Sequence, residues 1–207
     1  ISDKAISELI KLLKDENKTV VREAICAMYR LGLRAAEAVS ALKEIIDSEG
    51  PIMRAAAVEA LCSVLKDTDE KAERLGKTLS ADEDDYVRLL AVSRLENLAP
   101  EGEVAIPALL EAIDDDYRCV RLLAIDVLAL FGEKASSAIP ALLQKLSSSI
   151  PLEQEAAVKA LEKISSDGEA CRVQVEALLN DKTEMVRKAA QSCIESWSKE
   201  ESIQHTA

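Results

Sequence analysis

The sequence has almost no histidine and few aromatic residues. The chain has a single histidine, His205, in a polar C-terminal stretch, and aromatic residues make up only 2% of its 207 residues. Histidine is the side chain that most often carries general acid–base catalysis, and residues so close to a terminus are usually solvated. We therefore expect a protein that is not an enzyme, with no catalytic residue, no metal ligand and no cofactor.

The arrangement of the cysteines argues against disulfide bonds and metal sites. The cysteines are odd in number, lie at least 22 residues apart and show no metal-ligand spacing: Cys26, Cys62, Cys119, Cys171 and Cys193. A free cysteine packs as a small hydrophobic residue. We interpret all five as reduced thiols between helices, which favours a reducing compartment and a cytoplasmic location.

Basic charge and long apolar runs are both scarce. Lys and Arg number 26 against 38 Asp and Glu, so the formal net charge is −12, which opposes binding to the phosphates of DNA or RNA. No run of about 18 apolar residues is present, and no basic segment followed by an apolar run opens the chain. We expect neither a nucleic-acid nor a membrane partner. Because the first residue is Ile1 rather than Met, we also expect the sequence to be trimmed or cut from a longer chain.

What the sequence does contain is one unit repeated six times. An alanine recurs every 33 or 34 residues, at Ala24, Ala57, Ala91, Ala124, Ala157 and Ala190. Four residues after each alanine stands Met28, Leu61, Leu95, Leu128, Leu161 or Ile194, and seven residues after it Leu31, Val64, Leu98, Phe131, Ile164 or Trp197. This spacing places three apolar groups on one face of a helix in every unit.

Each unit is predicted to contain a first helix, a polar break and a second helix that carries the alanine. The fourth unit, for example, has AIPALLEAI from Ala105, a break at 114–116 and a second helix from about Tyr117 to Phe131 before Gly132. The predicted units are about 3–35, 36–68, 69–103, 104–136, 137–169 and 170–198, and a polar tail follows over 199–207. We interpret 1–198 as one continuous solenoid.

Over roughly residues 3 to 198 the chain resembles the HEAT repeat family. Pro107 and Pro140 stand inside first helices where that family has a proline that kinks the helix. Val or Met followed by Arg opens four second helices, at Met53-Arg54, Val87-Arg88, Val120-Arg121 and Val186-Arg187. The resemblance implies an all-α fold, a right-handed α-α superhelix of about six HEAT-like hairpins, whose second helices line a concave recognition surface.

The resemblance also implies a ladder of charged hydrogen bonds between neighbouring repeats. An Asp precedes the Arg by six residues in the pairs Asp82 and Arg88, Asp115 and Arg121, and Asp181 and Arg187, and Arg54 belongs to the same set. The fifth unit has Ser148 and Gln154 at these two positions, and Glu153 where other units have Val or Met. We predict a neutral contact and a looser joint at the fifth unit.

The second helices of the third and fourth units carry additional apolar residues. Leu89, Leu90, Leu122, Leu123 and Leu130 occupy positions that are mixed or polar in other units. Two interpretations stay open: these leucines are core residues because central helices are buried on more sides, or they form a hydrophobic patch that receives a partner segment. In the second interpretation the patch is flanked by Ser93, Asp126, Lys159 and Glu59.

Acidic residues concentrate in the turns between paired helices, for example over 82–85 and 114–116. They either cap the second helices and serve the ladder, or they form an acidic edge that steers a basic partner or weakly binds a divalent cation. A calcium loop with its glycine and closing glutamate is absent from the sequence.

These features together predict a monomeric protein-interaction scaffold. Its expected partner is another protein or a peptide segment, and the acidic edge would suit a basic partner. Two alternatives stay open. One is a HEAT-like enzyme or cofactor-handling protein of the bilin lyase type, with a cysteine as its nucleophile, and the other is a structural spacer within a longer chain. The single histidine excludes HEAT-like hydroxylases that bind iron through His-Glu pairs, and the few aromatic residues disfavour HEAT-like alkylpurine DNA glycosylases.

Overall fold

The computed structural model describes residues 3–165, 168 and 170–204, and within these ranges it contains helices and no strand. The α-helices are α1 (Asp3–Leu12), α2 (Lys18–Leu31), α3 (Val39–Ser48), α4 (Pro51–Val64), α5 (Thr68–Ala81), α6 (Asp85–Glu96), α7 (Ile106–Ala112), α8 (Arg118–Leu130), α9 (Ile139–Lys145), α10 (Pro151–Ile164), α11 (Arg172–Ala177) and α12 (Glu184–Gln204). Odd-numbered helices are the first helices of the repeats and even-numbered helices the second. The predicted all-α fold is confirmed.

The repeated alanines are buried. All six are at most 2% exposed, and small side chains at a contact let helix axes approach closely. Of the apolar residues four positions later, only Ile194 is half-buried and the others are buried. The periodic pattern therefore identified the buried face of the second helices correctly.

Polar side chains fix where the second helices begin. Asn17 accepts a hydrogen bond from the backbone N–H of Thr19, and Asp84 accepts from those of Tyr86 and Val87. Such N-caps satisfy backbone donors that have no partner within the helix. The acidic turns thus have a local structural role at these positions.

In the part of the chain that the structure describes, three first helices begin with a 3-10 segment that leads into the α-helix. The segments Gly32–Ala38, Glu103–Ala105 and Gly132–Ala138 lead into α3, α7 and α9. Pro107 and Pro140 are the second residues of α7 and α9, where proline is tolerated because the first backbone donors of a helix have no acceptor in it. The prediction that these prolines bend a helix from inside is wrong. The same division precedes α3, where Ser40 is the second residue, so proline does not cause it.

The chain forms two compact units, 1–98 and 99–207. In the first unit α4 packs against α2, α3 and α6, and α5 packs against α6. In the second unit α10 packs against α8, α9 and α12, and α11 packs against α12. Each unit therefore has second helices packed on one another and first helices packed on the second helices.

The last helix reaches further than the sequence suggested. α12 continues to Gln204, so the first residues of the predicted polar tail extend this helix. Residues 205–207, which include His205, lie outside the described residues. Within the described ranges, no helix is long and apolar enough to cross a membrane.

One glycine is required by the packing of α12. Gly168 has φ +67°, and a Cβ placed on it would overlap the ring of Trp197. Trp197 is buried, and the guanidinium of Arg172 lies 5.8 Å from its ring centroid, within the range of a cation–π contact. Trp197 is therefore a packing residue, as the sequence pattern predicted.

Candidate partner-binding face

Each second helix has an exposed side that lies opposite the side with the repeated alanine. We call it the second-helix face, and it consists of the residues five, two and one positions before the alanine and two positions after it. These positions share one side of a helix because they are spaced by three or four residues. All the predicted partner-binding residues except Leu130 occupy them.

In the first unit this face combines half-buried leucines with exposed apolar residues. Leu89 and Leu90 on α6 are half-buried, as is Ser93. Ile52 on α4 is 75% exposed and Tyr86 on α6 is 63% exposed. Contiguous exposed apolar patches mark interaction surfaces, and Ile52 and Tyr86 hold equivalent positions on the packed helices α4 and α6.

Ile52 and Tyr86 were not among the residues predicted from the sequence. The signal was present, because the position five residues before the alanine holds Thr19, Ile52, Tyr86, Cys119, Leu152 and Met185 in the six repeats. Five of these are apolar or weakly polar, and of those five only Met185 is half-buried rather than exposed. A comparison of the repeats at this position would have identified them.

A charged pair on α4 and α6 lies beside these residues. Glu59, predicted to flank the patch, accepts hydrogen bonds from Arg94, with 2.9 Å between Arg94 Nε and Glu59 Oε2. The hydrogen bond to Glu59 raises the pKa of the Arg94 guanidinium, although burial opposes it. Glu59 therefore links two second helices.

In the second unit the predicted residues lie on α8 and α10. Leu122 and Leu123 are half-buried, whereas Asp126, Leu130 and Lys159 are exposed. Lys159 Nζ lies 2.7 Å from Glu155 Oε1 one turn earlier on α10. Leu89 and Leu90 of α6 and Leu122 and Leu123 of α8 thus belong to different units, and all four are half-buried.

A groove of about 620 Å³ runs between α10 and α12. Its lining includes Glu155 and Lys159 from α10 and Glu184, Met185, Lys188 and Ala189 from α12. Of the predicted residues the structure brings Lys159 into this groove. The contribution of α12 was missed because the side of α12 that lines the groove is mainly polar, and Met185 and Ala189 are the apolar residues that it adds to the lining.

The predicted ladder residues take part in two kinds of contact. Between the second and third repeats, Arg54 Nε and Nη2 donate to the two carboxylate oxygens of Asp82 at 2.8 and 2.7 Å. The two side chains are only 10% and 6% exposed. The hydrogen bond to Asp82 raises the pKa of Arg54. This bidentate pair ties two repeats together.

Within a repeat, the arginine also holds the turn that precedes its helix. Arg88, Arg121 and Arg187 each donate from Nη1 to the backbone carbonyl of the Asp six residues earlier, over 3.0, 2.8 and 2.6 Å. The side chains of Asp82, Asp115 and Asp181 accept from the backbone N–H two residues further on. The six-residue spacing therefore reflects a closed turn inside one repeat.

The prediction of a neutral contact at the fifth repeat is wrong on its N-terminal side. Arg121 Nε donates to Glu153 Oε1 at 2.8 Å, and Ser148 Oγ donates to Glu153 Oε2 at 2.7 Å. Glu153 thus supplies the carboxylate that Ser148 cannot. Burial raises the pKa of Glu153, but the hydrogen bonds from Ser148 and Arg121 outweigh it and the pKa is lowered.

On the C-terminal side of the same repeat the donor is neutral. Gln154 donates from Nε2 to the carbonyl of Leu146 at 2.9 Å, and its side chain also bonds to Asp181. The pKa of Asp181 is lowered first by the backbone N–H of Thr183 and further by the side chains of Thr183 and Gln154. The fifth repeat therefore keeps its connections with a different set of side chains.

The environments of two cysteines bear on the nucleophile interpretation. Burial, together with the negative charge of Glu59, raises the pKa of the Cys62 thiol to about 11. Burial and Glu162 also raise the pKa of Cys193. A nucleophilic cysteine needs the opposite, a lowered pKa. In the described part of the chain, no group of three or more His, Cys, Asp or Glu side chains has the geometry to hold a metal ion.

Solved structures share this architecture. An archaeal HEAT-like repeats protein from Thermococcus onnurineus NA1 aligns with a TM-score of 0.62 at 15% identity, over 96% of this chain and 88% of that one. An engineered protein gives a TM-score of 0.61 at 22% identity, over 94% and 97% of the two chains. A chain from the complex of CpcE and CpcF of phycocyanin lyase from Nostoc sp. PCC7120 gives 0.57 at 22% identity, over 89% and 74%. At these identities the likeness concerns the fold alone.

The sequence itself matches a family model. No curated protein matches this sequence significantly. The model described as HEAT repeats, however, matches residues 1–62 and 106–195. These segments are well over half of the chain, which therefore belongs to the HEAT repeat family.

Proposed function

We propose that the chain is a protein-interaction scaffold that binds a partner protein or peptide through its second-helix face. The HEAT-repeat fold supports a repeat-based scaffold in general. The observation that carries the finer proposal is the exposure of Ile52 and Tyr86 next to the half-buried Leu89 and Leu90. Apolar side chains with that exposure, rimmed by charged residues, are suited to contact with another protein.

The proposal extends to the predicted residues of both units. Leu89, Leu90 and Ser93 would contact the partner in the first unit, and Leu122, Leu123, Asp126, Leu130 and Lys159 in the second. The chain would act as one continuous solenoid and as a monomer, in the cytoplasm, where its unpaired cysteines stay reduced. Arg54, Arg88, Arg121 and Arg187 and their partners would hold the repeats in place without touching the partner.

The experiment is affinity capture from native cell extract with four versions of the chain. Leu90→Asp with Leu123→Asp places charge among the half-buried leucines, and Ile52→Asp with Tyr86→Asp places it on exposed positions. Val173→Asp is the matched control, because Val173 is 75% exposed but lies on the first helix α11. We expect one protein to be retained by the wild type and the control and lost from both double variants.

Circular dichroism of each variant separates loss of binding from loss of fold. The Ile52 and Tyr86 variant should keep the wild-type helicity because neither side chain is buried. If Leu90→Asp with Leu123→Asp unfolds the chain, the leucines are core residues and the exposed pair alone tests the face. Identical proteins captured by all four versions would contradict the proposal.

The enzyme alternative rests on the structural likeness to a chain of the CpcE and CpcF complex of phycocyanin lyase. Its observable is a fast-reacting thiol, and the raised pKa of Cys62 and Cys193 leaves those two as thiols. Profiling all cysteines with a thiol reagent would support this alternative if one cysteine reacted far faster than the rest. The spacer alternative predicts that no protein is captured by any version.

A further inference from the structure

The groove between α10 and α12 has an apolar floor between charged sides. Met185 and Ala189 of α12 lie in its lining. On α10, Leu152 and Ala156 occupy the equivalent positions of the repeat, five and one before the alanine, and Leu152 is exposed. Such an apolar surface fits the apolar side of a helix, because helices present apolar residues at three- and four-residue spacing.

Residues of opposite charge lie at the two ends of this groove. As second helices of successive repeats, α10 and α12 run in the same direction. Glu184, the first residue of α12, lies six positions before the repeated alanine of its helix. Lys159 on α10 lies two positions after the repeated alanine of its helix. The two residues are therefore eight positions apart in the repeat. At about 1.5 Å per residue, the two charges are roughly 12 Å apart along the groove. Between them, Glu155 and Lys188 occupy the same register position and balance each other.

These charged groups are available to a partner. Glu184 and Lys188 pair at 2.6 Å within α12, with side chains that are 68% and 76% exposed. Lys159, with a side chain that is 60% exposed, pairs with the half-buried Glu155 within α10. Exposed pairs one turn apart stabilise a helix only slightly. Exchanging them for charges of a partner therefore costs little.

We propose that this groove binds an amphipathic α-helix of the partner, antiparallel to α10 and α12. An acidic residue in the first turn of that helix would meet Lys159, a Lys or Arg two turns later would meet Glu184, and small apolar residues between them would cover Met185 and Ala189. Acidic residues at the start of a helix and basic residues at its end are also favoured by the helix dipole, and antiparallel dipoles attract. The proposal rests on the proposed function and specifies the partner of one part of the same face.

The test uses two synthetic peptides of about 16 residues, each locked as a helix by a lactam bridge on its outer side. The charged peptide has glutamate in its first turn and lysine two turns later, and the neutral peptide has glutamine at both positions. Binding to the isotope-labelled full chain is followed by amide NMR shifts. We expect shifts in α10 and α12, with the charged peptide binding about 3- to 10-fold more tightly, as two exposed charge pairs would give.

Orientation and residue assignment are tested separately. A nitroxide at the N-terminus of the charged peptide should broaden amides around Lys159 and spare those around Glu184. The double variant Lys159→Glu with Glu184→Lys should abolish the preference for the charged peptide. The control Glu176→Lys with Lys182→Glu, which exchanges two exposed charges elsewhere in the second unit, should keep it.

Several results would overturn the proposal: no shifts with either peptide at millimolar concentration, equal affinity of the two peptides, an unchanged preference in the groove variant, or broadening around Glu184. These outcomes are distinguishable from failure of the proposed function. If a captured protein still depends on Ile52 and Tyr86, the second-helix face remains the binding surface and only the groove helix is rejected.

Discussion

At the residue scale, Glu153 shows how a repeat tolerates a changed pattern. Most repeats place an apolar residue at its position, and the sequence therefore suggested that the fifth repeat had lost its ladder. A glutamate side chain is longer than an aspartate and starts from a different backbone position, yet its carboxylate reaches Arg121 and is held by Ser148. The charge is thus retained while the residue that supplies it has moved.

We expect Glu153→Gln to lower the free energy of unfolding by about 3 kcal/mol, since it leaves a largely buried arginine without its counter-charge. Arg121 is 16% exposed and Glu153 5%. Urea unfolding at pH 7 measures the difference. The control is Glu8→Gln in the exposed pair of Glu8 and Lys11, which should change stability by less than about 0.5 kcal/mol.

Two further measurements test whether the charge of Glu153 is the cause of this stabilisation. Because the folded pKa of Glu153 lies below its ordinary 4.5, its stabilisation is complete above that value and is lost as the pH falls through the lower folded pKa. The gap between wild type and Glu153→Gln should therefore shrink in acid. Ser148→Asp with Glu153→Val, which restores the arrangement of the fourth repeat, should recover stability. If this double variant lost as much stability as Glu153→Gln, the interpretation that Glu153 replaces the aspartate of the other repeats would be contradicted.

At the element scale, the first helices divide in the same way with and without proline. Val39, the residue before Ser40, has φ −51° and ψ −49°. Ile139, the residue before Pro140, has φ −51° and ψ −50°. Since the two backbones are the same, the position that holds Ser40 can also hold proline without rearrangement.

We expect Ser40→Pro to raise the free energy of unfolding by about 0.4–1 kcal/mol, because proline restricts the unfolded chain and fits the native backbone. Thermal and urea unfolding both measure this gain. Glu44→Pro is the matched control in the same helix α3. It should cost about 3 kcal/mol or more, since it removes an interior hydrogen bond. A loss of stability in Ser40→Pro would show that the N–H of Ser40 is needed.

The sequence predicted the second helices better than the first, and the core better than the face. Alanine and its apolar partners identify a buried side because their spacing repeats six times. The exposed Ile52 and Tyr86 give no such signal on their own, since one exposed apolar residue is ordinary in any protein. The reach of Glu153 was unpredictable because it depends on where the backbone places both partners. The effect of Pro107 was predicted wrongly because it depends on where the helix begins. Proline bends a helix from its interior but is tolerated in its first turn, where Pro107 lies.

At the scale of the whole molecule, three repeats in each compact unit are enough to bury a core. Repeat arrays gain stability from each repeat and from its contacts with the next, so a unit of three repeats has two internal interfaces. The first unit uses the pair of Arg54 and Asp82 at one of them, and the second uses Arg121 with Glu153. Each unit therefore contains the same kinds of contact as a longer array.

The proposal of one continuous solenoid predicts how the two units behave when separated. We expect the fragments 1–98 and 99–207 each to be helical but to unfold at a lower urea concentration than the intact chain, because a solenoid cut between repeats loses one interface. Mixing the fragments should restore part of the difference. A fragment 1–116, cut inside the fourth repeat, is the control and should gain no stability from its unpaired first helix. Fragments that unfold at the midpoint of the intact chain would instead identify two independent domains, each binding partners through its own second helices.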